Sequence, residues 1–323
     1  MKQKFPILAA LCALFLLAAA SDTAIERAAY GLRLCWELIL PSLFPFFVLS
    51  SLLSRLGFPR LAGRKLAPLA RRLFHTSGAG VTALLIGLTG GYPLGAAYVA
   101  ELEERGEIGP GEGGRLLGFC NNSGPAFLVG AIGTGVFGSA RAGLLLYLSH
   151  ALAAVLGGLL LRSRTGPDAP ELAPPLSPQP SFPRALSEAV RQSVPALLNV
   201  CGFVVFFTVF CGFLDAAGFL DALAARLSHL PGLGEQQARA LLLGFWELGG
   251  GVGALRGLPL TPGNLALAAA LVGWGGVSVQ FQTLAVLADS EIKSSPHLAG
   301  RLMSAVFGAA LAYGLGTLVP IIL

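Results

Sequence analysis

Apolar runs about as long as a bilayer is thick recur along the chain, separated by short basic, glycine-broken or proline-rich stretches. A helix needs roughly 20 apolar residues to cross a hydrocarbon core about 30 Å thick. Seven runs meet that length without interruption, and two more are broken or hard to classify. The alternation of a barrel strand is absent, and backbone N–H and C=O groups cannot go unpaired in lipid. The runs are therefore predicted to be helices or helix pairs, and the fold class an all-α polytopic membrane protein.

The first run, residues 5–20, follows Met1-Lys-Gln-Lys4 and ends at Ala18-Ala-Ala-Ser21. That pattern fits a cleaved secretory signal as well as a retained helix; a retained transmembrane helix or signal anchor over residues 1–27 is the preferred reading. The second run, about 33–53, leads into Arg55, Arg60, Arg64, Lys65, Arg71 and Arg72 with no acid among them. Loops rich in Lys and Arg stay in the cytoplasm, so this one is placed there.

Two unusual segments follow. Residues 78–100 contain Gly90-Gly-Tyr-Pro93, and residues 115–138 contain Asn121-Asn-Ser-Gly-Pro125; each is apolar yet broken at its centre. A plain helix at about 142–161 precedes a proline-rich stretch, 165–183, that reads as a linker. The second half repeats the order: a span at about 193–214, then 238–255 with Gly249-Gly-Gly251, then 265–288 with Gly273-Trp-Gly-Gly276, then a last helix at about 302–323.

Identities support the match. Ala83-Leu-Leu-Ile-Gly87 with Gly90-Gly91 and Gly95-Ala96 aligns with Ala240-Leu-Leu-Leu-Gly244, Gly249-Gly250 and Gly253-Ala254. Gly118-Phe119 with Ser123 aligns with Gly273-Trp274 and Ser278. The expected organisation is a first repeat at 28–164, a linker at 165–185 and a second repeat at 186–323. Half-helices of about ten residues are too short to cross, so re-entrant hairpins are the preferred reading of 78–100 and 238–255; the alternative is that both span fully, with parallel halves and an external linker. With the hairpins, each half makes an odd number of crossings and the repeats are inverted, an arrangement known to place a solute site at mid-membrane.

Composition agrees with this picture. The chain is 54% hydrophobic and 12% charged, with mean hydropathy +0.72, against roughly 25% charged for a soluble domain. The net charge of +5 sits between apolar spans rather than in a separate domain, so it reports topology and not nucleic-acid binding. Cys12, Cys35, Cys120, Cys201 and Cys211 lie in or beside spans without metal-ligand or disulfide spacing. No P-loop, H-E-x-x-H or Ser/His/Asp set is present, so no enzyme activity, metal or cofactor is expected. Coupling to a proton or sodium ion would need neither.

At a break inside a span, freed backbone groups need partners, and the half-helix that follows presents a partly positive N-terminus. Gly90, Gly91, Tyr92, Pro93, Asn121, Asn122, Ser123, Gly124 and Pro125 form the first-half candidates for solute binding. Glu247, Gly249, Gly250, Ser278 and Gln280 form the second-half set. Pro93 and Pro125 suit the first turn of a new half-helix. Consecutive polar side chains at 121–123 must find partners at that depth, from the solute, a coupling cation or each other. The glycines are equally suited to close helix packing. Glu247, an acid inside an apolar segment, is a functional candidate by position; taken out of water a carboxyl favours its neutral form, so Glu247 carries a proton or holds a coupling cation when an anion binds. His150, isolated in an apolar helix, either relays protons or hydrogen-bonds a neighbouring helix.

Gly90-Gly-Tyr-Pro-Leu-Gly-Ala96 and Phe119-Cys-Asn-Asn-Ser-Gly-Pro-Ala-Phe127, in this order and flanked by these helices, resemble the YlbJ-type sporulation integral membrane proteins. That family carries the nucleoside recognition, or gate, domain, which is similar to the core of concentrative nucleoside transporters. The resemblance implies re-entrant hairpins and unwound helices around a mid-membrane solute. It further implies export of dipicolinate from the mother cell to the forespore; a nucleoside transporter and a non-transporting scaffold of a sporulation complex are the alternatives. The expected partners are the lipid bilayer and a small solute, dipicolinate or nucleoside-like, with no nucleic acid and self-association into a homo-oligomer left open. The expected location is the bacterial cell membrane, in particular the mother-cell-derived outer forespore membrane.

Overall fold

The computed structural model describes residues 4–162 and 180–319, and the described residues are helical throughout, with no strand among them. Helix α1, Lys4–Ala19, leads directly into α2, Ser21–Arg55. A π turn at Cys35–Ile39 interrupts α2 just ahead of Pro41. Proline supplies no N–H to the helical ladder, and a wider turn accommodates the loss. The short basic helix α3, Phe58–Phe74, buries Ala67, Ala70 and Phe74 and turns Arg64, Lys65 and Arg72 outward. It meets α4, Gly78–Gly90, at 94°.

Helices α5, Leu94–Glu104, α6, Pro110–Cys120, the π-helical α7, Ala126–Thr134, and α8, Ala140–Leu160, complete the first half. The second half holds α9, Phe182–Ala216, α10, Phe219–Leu227, α11, Glu235–Trp246, α12, Leu248–Gly253, α13, Pro262–Trp274, α14, Gly276–Val286, and α15, Ser295–Leu318. Three breaks occur where expected, at residues 91–93, residues 121–124 and Gly275, which is left-handed at φ 81°; the fourth falls at Glu247, ahead of the expected Gly249–Gly251, which are helical in α12.

Five described spans are long and apolar enough to cross a membrane, α2, α8, α9, α13–α14 taken together and α15, or six if the bent α3–α4 pair is one span. That is fewer than the run count predicts. Helix α1 has only 16 residues, and the broken segments divide into pieces too short to cross alone. Most of the linker, residues 163–179, lies outside the described residues, and α9 already begins at Phe182. Large apolar side chains such as Phe15, Trp36, Phe206 and Val306 face outward. Lipid, not water, is the solvent that tolerates such a belt.

Helices α4 and α5 fold back on each other across their break, as do α11 and α12. Small residues allow both contacts. A Cβ on Gly251 would overlap the Gly244 backbone, and one on either Gly87 or Gly95 would overlap the Cys120 carbonyl. The first hairpin is thus clamped onto the end of α6, where the second break begins. Two loop contacts fix the ends of the broken elements. Ser290, beyond α14, donates to Glu103 near the end of α5 at 3.1 Å. Arg256, beyond α12, donates to the Gly135 carbonyl beyond α7 at 3.2 Å.

Candidate functional site

The tips of the broken elements from both halves meet around a cavity of about 60 Å³. Gly91 and Tyr92, Ser123 and Gly124, Glu247 and Gly249, and Ser278 all line it, under an apolar cover that includes Ile39, Leu43, Val200 and Val204. Of the expected site residues, Gly90, Pro93, Asn121, Asn122, Pro125, Gly250 and Gln280 stand outside its lining.

Each wall residue is held by its break. Gly91 adopts φ 87°, and a Cβ there would stand only 3.0 Å from the Gly124 amide nitrogen. Both the conformation and the approach of the two breaks need glycine. Tyr92, joined to Pro93 by a cis peptide bond, donates its hydroxyl to the Val272 carbonyl at 2.8 Å and so ties the first hairpin to α13.

The polar cluster is largely consumed internally. Asn121 donates to Thr283 Oγ1 of α14 at 2.9 Å and accepts from the Ala96 amide at 3.4 Å. Asn122 donates to the Phe119 carbonyl at 2.7 Å. The Ser123 amide donates to His150 Nε2 at 3.0 Å, so this histidine serves as a hydrogen-bond partner of the break. The Ser123 hydroxyl has no partner among the described hydrogen bonds and borders the cavity.

On the opposite wall, Glu247 caps α12, its carboxyl oxygens accepting from the Gly249 amide at 2.8 Å and the Gly250 amide at 2.5 Å. Those donors satisfy a buried carboxylate. Gln280 turns away and donates to the Trp274 carbonyl at 2.9 Å. Gln282 takes its place in the wall and donates to the Ser278 hydroxyl at 3.2 Å.

A second cavity, of about 200 Å³, lies on the other side of the α11–α12 tip and also has Glu247 in its wall, with Gly250 and Tyr30. Its rim is charged. Asp215 receives Arg27 at 3.0 Å and Arg239 at 2.5 Å, and Arg239 also pairs with Asp221.

The chain is 32% identical over 310 residues to sporulation integral membrane protein YlbJ of Bacillus subtilis (strain 168), a match covering 88% of this chain and 75% of that protein. The chain belongs to the YlbJ family. No family model matches it, and no solved structure matches it. It is accordingly a multi-pass integral membrane protein of a sporulation family.

Sequence reasoning missed two buried charged residues that organise the broken elements. Glu112, buried in α6, accepts from the Thr76 hydroxyl and, at 2.8 Å, from the Ser77 amide where α4 begins. Arg301, in α15, is entirely buried; its Nη1 donates to the Tyr92 hydroxyl at 2.7 Å, its Nη2 lies 3.5 Å from Asn122 Oδ1, and its Cζ lies 5.5 Å from the Tyr92 ring centre. The signal was available only if the last helix is extended towards Ser295, because an arginine inside a membrane span is a functional candidate by position. Starting the last helix at 302 rather than at Ser295 left Arg301 in a loop.

Proposed function

We propose that the protein is a secondary transporter of a small anionic or nucleoside-like solute, with dipicolinate export from mother cell to forespore as the leading assignment. The observation that carries this reading is the cavity walled jointly by the breaks of both halves. Broken helices inside a membrane protein leave backbone and small polar groups free to meet a solute, and pairs of them at corresponding positions characterise secondary transporters. The dipicolinate assignment rests on the family resemblance.

Transport by alternating access requires an element beside the inner cavity to move. The α11–α12 tip is the natural gate, since Glu247 stands in the walls of both the inner cavity and the larger charged one. Glu247 is also the group in that tip that can exchange a proton or bind a cation, which would couple tip movement to an ion gradient.

The halves are proposed to be inverted repeats. The Ser290–Glu103 and Arg256–Gly135 contacts support this, because they put the open end of the first hairpin with the end of α14 and that of the second with the end of α7. Cysteines introduced by Glu104→Cys and Glu235→Cys should then label from opposite membrane faces; labelling from one face would rule out inversion. For the transport reading, purified protein in liposomes should move labelled dipicolinate down an imposed gradient, with a nucleoside tested beside it. No flux of either would sink it and leave a membrane scaffold as the role.

A further inference from the structure

Arg301 sits in a candidate membrane span with none of its surface exposed. Among the described residues no carboxylate pairs with it. Of its five N–H donors, one makes a short hydrogen bond, to the Tyr92 hydroxyl at 2.7 Å. The contact to Asn122 is long at 3.5 Å, and Nε has no partner. The surroundings are polar but equally unsatisfied: His150 Nδ1, His297 Nε2 and Ser304 Oγ are buried without hydrogen bonds. His297, Arg301 and Ser304 recur at helical spacing and so share one face of α15.

A buried, unpaired cation is costly, and removal of a partner from a buried pair is among the most destabilising changes known. Arg301 therefore calls for a negative charge, and among the described residues none forms an ion pair with it. The position says where that charge comes from. Tyr92, its hydrogen-bond partner, lines the inner cavity, and Asn122 immediately precedes the lining residues Ser123 and Gly124. Arg301 thus stands one hydrogen bond behind the first-half wall. The opposite wall carries Glu247, already engaged by the Gly249 and Gly250 amides. A cationic group thus stands behind one wall and an acidic side chain in the other.

We infer that Arg301 is the residue that makes this cavity select an anionic solute, its guanidinium holding Tyr92 and supplying the positive field against which a carboxylate docks beside the Tyr92 ring and the Ser123 hydroxyl. The inference rests on reading the cavity as the solute site and adds to it a charge requirement and an orientation. Arg301 acts through Tyr92 and Asn122 and is a positioning residue. The anionic end of the solute faces the first-half wall, away from Glu247. In a low-dielectric site a fixed charge behind the wall acts more strongly than it would in water.

Calorimetric binding to the full-length protein in detergent tests this, with dipicolinate, benzoate and the uncharged pyridine-2,6-dicarboxamide as probes. Wild type should prefer dipicolinate to the diamide. Arg301→Gln should shrink that preference by about tenfold or more, the share of a charge-assisted contact, while Arg301→Lys restores most of it. Tyr92→Phe, which keeps the ring and removes the hydroxyl that Arg301 holds, should weaken dipicolinate binding more than diamide binding and so narrow the preference.

A folded Arg301→Gln protein with the wild-type preference would overturn the inference, as would a wild type that binds the diamide as well as the acid or binds none of the probes. If Arg301→Gln does not fold, Arg301→Lys decides alone, since loss of the preference with the charge retained also overturns it. Dipicolinate flux without charge preference would refute the role of Arg301 and leave the transporter reading standing. Arg301-dependent binding of carboxylates without flux would do the reverse.

Discussion

Replacing Asn121 by alanine separates the framework of the breaks from the surface that meets solute. The side chain has no exposed area, and it connects the second break to α5 through the Ala96 amide and to α14 through Thr283 Oγ1. Ala96 lies in the first turn of α5, where an amide has no intrahelical acceptor. Its loss of a partner at this depth costs about 1–3 kcal/mol, and the lost bond to Thr283 adds about 1 kcal/mol. Asn121→Ala is thus expected to destabilise by about 2–4 kcal/mol.

The Thr283 share can be isolated. In a double-mutant cycle with Thr283→Val, cross-helix hydrogen bonds in membrane proteins contribute roughly 0.6–1.7 kcal/mol. Reversible unfolding in mixed micelles with increasing SDS, followed by tryptophan emission, gives the four stabilities. A coupling energy below about 0.3 kcal/mol, the scatter of independent sites, would refute the cross-half tie. A change in solute KM for the folded Asn121→Ala protein would refute its placement outside the cavity.

Gly95→Ala drives a Cβ into the Cys120 carbonyl, a backbone group that cannot turn aside, so it should destabilise by about 1–3 kcal/mol or prevent folding; thermal unfolding at wild-type temperature would contradict the clamp. Ser123→Ala removes the cavity-facing hydroxyl and should raise solute KM several-fold with an unchanged melting temperature, whereas unaltered transport would make Ser123 structural only. Glu247→Gln keeps an acceptor for the α12 amides, so the protein should fold, but flux should no longer follow an imposed ion gradient; retained ion dependence would move coupling elsewhere.

Most breaks were legible because glycine, proline and clustered polar residues inside apolar runs conflict with a continuous helix; the exception is Gly249–Gly251, which stay helical because the Glu247 carboxyl caps the half-helix whose first turn they form. What escaped depends on helical phase and on depth. After the left-handed turn at Gly275 the phase of α14 is reset, so the sequence could not tell that Gln282, rather than Gln280, faces inward. For Asn121 and Asn122 the sequence offered either solute contact or partners within the protein, and it does not display Thr283, Ala96 or Arg301, which approach from distant segments. Arg301 was lost because hydropathy trims a charged residue from the edge of an apolar run, although α15 continues past it to Ser295.

The most direct test of the central claim, that the cavity between the broken helices is the solute's path, is alkylation of a single cysteine at position 123. Ser123→Cys would be built in a background whose five native cysteines are replaced by serine or alanine, and assayed for dipicolinate flux in proteoliposomes. A membrane-permeant maleimide should abolish flux, and saturating dipicolinate should slow the labelling. Full flux after complete alkylation of position 123 would contradict the account.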